Sequence, residues 1–206
     1  GRAVSDVLAD EGCDLAMVAR TEEDLTKAAE DIRLRANVNV QILAADLSLS
    51  ADQQRVAATF PDVDIVVNNA GIFTTSAKIE EIELAEWQRS LDINLTSAMH
   101  VIKQAVPYLR YGCHPAVVIV GSKNVRAPGP GAAAYSVAKA GLAQLARIAA
   151  LELAGDSIRV NTVHPNSVFD TGIWSQQVLA SRAKHYGMSI EEYRASNLLG
   201  VEVTSK

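Results

Sequence analysis

A tyrosine and a lysine stand four residues apart in Tyr135-Ser-Val-Ala-Lys139, a spacing that puts both on one face of a helix. The ammonium is thereby brought toward the phenol. A phenol with a pKa of about 10 is a weak acid–base catalyst at neutral pH, and a fixed positive charge nearby favours its ionised form. Such a pair also occurs on plain solvated helix faces, so its neighbours decide. Thirteen residues before the tyrosine lies Ser122, just past the apolar run Ala116–Val120. A hydroxyl at a strand's carboxyl end can hydrogen-bond a substrate carbonyl beside the phenol. A second apolar run leads into Val67-Asn68-Asn69-Ala70-Gly71, small residues whose turn chemistry lets a backbone approach a ligand closely. Asn94 falls inside a strong helical pattern, where an amide can mark a kink or hold a water.

These residues need elements to position them. Short β-like runs occur at Leu15–Ala19, Val40–Ala44, Val63–Val67, Ala116–Val120 and Ile158–Val163, with helical stretches at about 2–11, 22–36, 50–59, 84–111 and 133–154 between them. Strand and helix in alternation predict a Rossmann-like α/β fold, a doubly wound parallel sheet with helices on both faces. The strands are near-continuous apolar runs, as burial on both faces requires. Beyond about residue 165 the alternation loosens into helical pieces at 175–186 and 189–197, an arrangement suited to covering a ligand crevice. No repeat or linker divides the chain, so residues 1–206 read as a single domain.

Composition narrows the function. The net charge of −5, with no basic stripe, argues against nucleic acid and anionic membrane surfaces as partners. No apolar run reaches the roughly 18 residues that a bilayer span needs. The two cysteines, Cys13 and Cys113, lack metal-ligand spacing, and the scattered histidines form no metal site. A reduced, cytoplasmic setting is expected.

In order and spacing, Asn68-Asn-Ala-Gly71, Asn94, Ser122, Tyr135, Lys139 and Ile158-Arg-Val-Asn161 resemble the short-chain dehydrogenase/reductase family, and the resemblance covers essentially the whole chain. It implies an NAD(P)-dependent oxidoreductase that interconverts an alcohol and a carbonyl. Tyr135 would be the general acid/base. Ser122 would orient the substrate oxygen, Lys139 would bind the nicotinamide ribose and depress the tyrosine pKa, and Asn94 would hold a relay water. Cofactor contacts would come from Gly1, Arg20, Asp46, Asn68, Asn69, Ala70, Gly71, Tyr135, Lys139, Pro165 and Val168, and substrate contacts from Ser122, His164 and Trp174. The family's TGxxxGxG turn is absent; Gly1 aligns with its last glycine. The first strand and that turn are therefore expected ahead of Gly1, and a last strand beyond Lys206. By itself the chain is expected to bind cofactor weakly or fold poorly. At His164-Pro165-Asn166 the family usually has Pro-Gly, and asparagine tolerates the left-handed backbone that glycine adopts.

Where an acidic residue would hold the ribose hydroxyls of NAD, the second family strand ends in Ala19-Arg20, and a guanidinium can pair with a 2′-phosphate. NADP(H) is favoured, with NAD(H) the alternative. The polar residues His164, Ser167, Asp170, Thr171 and Trp174 suit a small hydroxyaldehyde or sugar-type substrate. That segment, with Arg182-Ala-Lys-His-Tyr-Gly187 and Asn197-Leu-Leu-Gly200, resembles bifunctional rhamnulose-phosphate aldolase/lactaldehyde dehydrogenases, which implies an N-terminal aldolase domain in the whole protein. Family members pair the alanine-rich helix Ala132–Ala154 with the long helix before it across a two-fold axis, which implies a homodimer or homotetramer. Two alternatives stay open: an NAD-dependent sugar epimerase or dehydratase, and a non-catalytic NAD(P)-binding protein of the same fold.

Overall fold

The computed structural model describes residues 1–205 in two compact units, Gly1–His164 and Pro165–Lys206. In the first, helices and strands alternate: α1 (Arg2–Asp10), β1 (Leu15–Ala19), α2 (Glu22–Arg35), β2 (Val40–Ala44), α3 (Ser50–Thr59), β3 (Ile65–Asn68), α4 (Leu84–Leu91), α5 (Ser97–Leu109), β4 (Ala116–Val120), α6 (Ala133–Glu152) and β5 (Arg159–Val163). Every strand pairing is parallel. This is the doubly wound α/β arrangement, with helices on both faces, that the alternation predicts.

Local chemistry explains the elements. Helix α2 opens on Glu22, Glu23 and Asp24 and closes on Arg33 and Arg35, charges that complement its dipole at both ends. Helix α6 is alanine-rich, and alanine has the highest helix propensity. Strand β4 is built from β-branched residues around Val117 and Ile119, both wholly buried. With Leu109, Leu142 and Ile158 they form the centre of the main core, each contributing about 1.5–3 kcal/mol of apolar burial. A second core joins α1 and α2 to β1 and β2 through Ala9, Leu25, Ala29, Ile32 and Val40.

Two features depart from the sequence expectation. The strands form two sheets, β1–β2 and β3–β4–β5, and among the described residues neither β1 nor β3 has a second strand partner. Burial on both faces therefore holds for β4 but not throughout: Ile65 of β3 is 43% exposed and Val163 of β5 is 49% exposed. Further, the helix expected over 84–111 is interrupted by a π-helical turn at Asp92–Thr96, between α4 and α5. Asn94 lies inside that turn. Hydrophobic periodicity runs through it unbroken, which hides it from pattern analysis.

The second unit carries α7 (Gln176–His185) and α8 (Ile190–Arg194). Ser175 caps the first, accepting from the Val178 N–H at 3.3 Å. Ser189 and Glu192 form a reciprocal capping box on the second. Phe169, Leu179, Ala183 and Tyr193 make its core.

Candidate active site

Residues that follow the carboxyl ends of β3 and β4 meet the first turns of α6. Ser122 stands just past β4 in extended backbone, and its hydroxyl oxygen accepts from the Asn124 N–H at 3.2 Å. The same hydroxyl lies near enough to the Tyr135 phenol to favour its ionised form. Phe73 packs on the tyrosine ring, with centroids 5.2 Å apart, and fixes its plane. Lys139, one turn along α6, is only 4% exposed. Its ammonium donates to the Val120 carbonyl at 2.9 Å and lies 5.9 Å from the centre of the Tyr135 ring.

Electrostatics here correct one expectation. Burial pushes the Tyr135 phenol above its ordinary value, and the Ser122 hydrogen bond pulls it partly back. Burial also lowers the Lys139 pKa from 10.5 to about 8. At neutral pH the site thus holds a protonated phenol beside a charged, weakly solvated ammonium.

The Asn94 side chain is fully buried and wholly engaged. Its oxygen accepts from the Ile72 N–H at 3.0 Å, while its amide donates to the Ile72 and Ser90 carbonyls, each at 3.0 Å. It staples the loop after β3 to the helix; a relay water would have to be held by its main chain. Gly71 passes between these groups. A Cβ there would sit 2.8 Å from the Asn94 side-chain oxygen and 3.3 Å from the Lys139 ammonium nitrogen. Gly71→Ala should therefore displace both and cost about 1–3 kcal/mol of stability. Thermal denaturation checks this; an unchanged Tm would show that the loop yields freely.

The other expected residues fall into groups. A cavity of about 550 Å³ opens beside the ends of β1 and β2, lined by Arg20, Asp46, Gln53, Thr96 and His100 among others. The Ser48 backbone and hydroxyl hold the Asp46 carboxyl below its usual range, and Arg20 adds to the effect. A guanidinium, a carboxylate and hydroxyls at strand ends fit the adenosine end of a dinucleotide. Gly1 lies against Asn69, where an added Cβ would be 3.3 Å from the side-chain amide nitrogen. Ala70 is exposed beside it. Asn68 points inward and donates to the Ala98 carbonyl at 3.2 Å, tying β3 to α5. His164 ends the first unit, against the backbone of Ser122.

Pro165, Val168 and Trp174 belong to the second unit. There the Val168 carbonyl accepts from the Thr171 hydroxyl at 2.9 Å, and Trp174 packs on Phe169 with ring centres 4.9 Å apart. Asn166 does not take the left-handed backbone: among the described non-glycine residues only His114 and Ser157 have positive φ. Sequence reasoning missed Phe73, and also the His100–Gln53 hydrogen bond at 2.8 Å in the cavity wall. No local spacing signals either, since 47 positions separate Gln53 from His100.

Residues 1–180 match the family model described as short chain dehydrogenase. The chain is 34% identical, over 168 residues, to cis-4-hydroxycyclohexanecarboxylate dehydrogenase of Sinomonas cyclohexanicum, covering 80% of this chain and 67% of that protein. L-sorbose reductase of Gluconobacter frateurii, solved with NADPH and L-sorbose, superposes with a TM-score of 0.88 at 25% identity, over 98% of this chain and 80% of that one. Carveol dehydrogenase of Mycobacterium avium, solved with NAD, gives 0.89 at 26% identity, over 100% and 82%. Among the described residues no helix is long and apolar enough to cross a membrane.

Proposed function

The chain belongs to the short-chain dehydrogenase family of alcohol and carbonyl oxidoreductases, and we propose that it reduces a small polar carbonyl, of hydroxyaldehyde or sugar type, with Tyr135 giving up the proton. One observation carries the reading: the Ser122 hydroxyl lies near the Tyr135 phenol and favours its ionised form, with the Lys139 ammonium one helical turn away. A bound nicotinamide supplies or takes up the hydride. The chain's own residues do the rest. Ser122 donates to the carbonyl oxygen and polarises it. Tyr135, protonated at neutral pH because it is buried, delivers its proton as charge develops on that oxygen. Lys139, charged below about pH 8, offers its ammonium to the ribose hydroxyls. Asn94 positions Gly71 between these groups.

The test is to assay full-length protein with NADPH against short hydroxyaldehydes and ketoses, beside Ser122→Ala. Turnover of a hydroxyaldehyde that Ser122→Ala lowers by about 10²–10³-fold supports the reading. Full activity in that variant ends it.

For the cofactor we propose NADP(H) over NAD(H), because Arg20 lines the cavity that fits the adenosine. Wild-type protein should then bind NADPH at least about tenfold tighter than NADH, and Arg20→Ala should erase the difference, since a charge-assisted phosphate contact contributes roughly 1.5–3 kcal/mol. Paired affinity titrations decide; a tenfold preference for NADH contradicts it.

A homodimer or homotetramer is proposed through the outer face of α6. Val137, Ile148 and Leu151 lie exposed there at 48%, 43% and 80%. Ala138 and Ala143 are instead buried in the core of the first unit. Light scattering of full-length protein should give a dimer or larger, and Ile148→Glu with Leu151→Glu a monomer. A monomeric parent protein refutes the assembly. The one-sided pairing of β1 and β3 supports a further parallel strand between them, contributed from ahead of Gly1 with the glycine-rich turn. The flanking coding sequence tests that, and an aldolase domain fused upstream with it.

A further inference from the structure

Strands β4 and β5 are paired in parallel up to Val120 and Val163, and the Gly121 N–H donates to the Val163 carbonyl at 2.8 Å. The next residues in register are therefore Gly121 and His164, and Ser122 follows Gly121 directly. The imidazole Nδ1 lies 3.1 Å from the Ser122 carbonyl oxygen and 3.3 Å from the Ser122 backbone nitrogen. Carrying a proton, Nδ1 donates to the carbonyl; without one, it accepts from the N–H. Either state grips the main chain of the same residue. The ring also occupies the place where a side chain at Gly121 would go, since a Cβ there would be 2.6 Å from Nδ1 and 2.8 Å from Cε1. The glycine is required so that the imidazole can reach the backbone.

We infer that His164 is a positioning residue: seated in the gap left by Gly121, it fixes the Ser122 main chain and so aims the Ser122 hydroxyl at Tyr135. The sequence placed His164 among the substrate contacts; the geometry gives its Nδ1 to the protein's own backbone. Beside this grip, Ser122 accepts at its carbonyl from the Val125 N–H at 3.2 Å. Its hydroxyl is shared between Tyr135 and the Asn124 N–H, and a short 3₁₀ turn, Lys123–Val125, follows at once. This inference rests on the role proposed for Ser122.

The experiment compares His164→Ala, His164→Asn, His164→Gln and Gly121→Ala in full-length protein. Asparagine puts an amide where Nδ1 was; glutamine reaches the Nε2 position and leaves the backbone unpaired. The first readout needs no substrate. In protein labelled at the tyrosine ζ-carbon, with the Tyr135 signal assigned by its loss in Tyr135→Phe, a weakened Ser122 hydrogen bond moves the Tyr135 titration upward by on the order of one unit. The second is kcat with NADPH and glyceraldehyde, which a misplaced hydroxyl lowers by roughly 10- to 100-fold.

His164→Ala, His164→Gln and Gly121→Ala should share both changes, while His164→Asn stays near wild type and all keep wild-type NADPH affinity. Should Gly121→Ala fail to fold, the asparagine–glutamine contrast still decides. An unshifted titration in His164→Ala, or His164→Asn as impaired as His164→Ala, overturns the inference. Ser122→Ala separates the two levels. If it is impaired while His164→Ala is normal, only the positioning role fails; if Ser122→Ala itself is normal, the role of Ser122 fails with it.

Discussion

Tyr135→Phe should lower kcat by about 10²–10⁴-fold, the range over which a positioned proton donor acts, and leave cofactor affinity within a factor of about three. The phenol ring stays: Phe73 packs on its face rather than on the hydroxyl, so the substituted ring keeps its contacts. What goes is one oxygen. That oxygen stands beside the Ser122 hydroxyl and carries the proton proposed to reach the substrate, which it holds at neutral pH because burial raises the phenol further above its ordinary value. Steady-state kinetics with a hydroxyaldehyde and NADPH, beside a cofactor titration, measure both quantities. A loss confined to affinity would mean that the hydroxyl holds ligand rather than moving a proton.

Lys139→Met should separate activity from stability, lowering kcat at least about 100-fold while raising Tm. The ammonium is almost wholly buried, and desolvation depresses its pKa from 10.5 to about 8. At about 1.4 kcal/mol per unit, keeping it charged at pH 7 costs on the order of 3 kcal/mol. Methionine fills similar space without charge, but it leaves the Val120 carbonyl unpaired, which returns about 1–2 kcal/mol of the gain. The net increase is on the order of 1–2 kcal/mol at pH 7. Its pH dependence follows from the direction of the shift. Between about pH 8 and 10.5 the folded wild type binds fewer protons here than the unfolded chain, so wild-type stability rises with pH across that window. The advantage of Lys139→Met should therefore be full below pH 8 and fade by pH 10.5. Melting curves at pH 7 and pH 10 check it. A variant less stable than wild type at pH 7 would show that the Val120 contact outweighs the desolvation.

Much of this was legible before any coordinates. Strands β1, β2 and β4 lie where their apolar runs begin and end, because such runs between polar turns leave a parallel strand one place to form. Tyr135 and Lys139 share a helix face for the same periodic reason. Contacts between distant segments were not legible. His164 reaches Ser122 across 42 positions through the register of two strands, and nothing local to either residue encodes it. Asn94 was noticed as a polar residue in an apolar helix, yet its role as a staple depends on Ile72, 22 positions away, meeting a π-turn. Spacing gives the proximity of Tyr135 and Lys139 but not which way the Lys139 ammonium turns. The Val120 carbonyl, at the end of a neighbouring strand, decides that.

Everything turns on whether the Tyr135 proton moves as hydride does. The most direct measurement is single-turnover reduction in H₂O and D₂O, with protiated and deuterated NADPH, on full-length protein. The account predicts slowing by each deuterium source in wild type, and loss of the solvent effect in Tyr135→Phe while the hydride effect persists. A wild-type turnover indifferent to D₂O, or a solvent effect that survives in Tyr135→Phe, would contradict it.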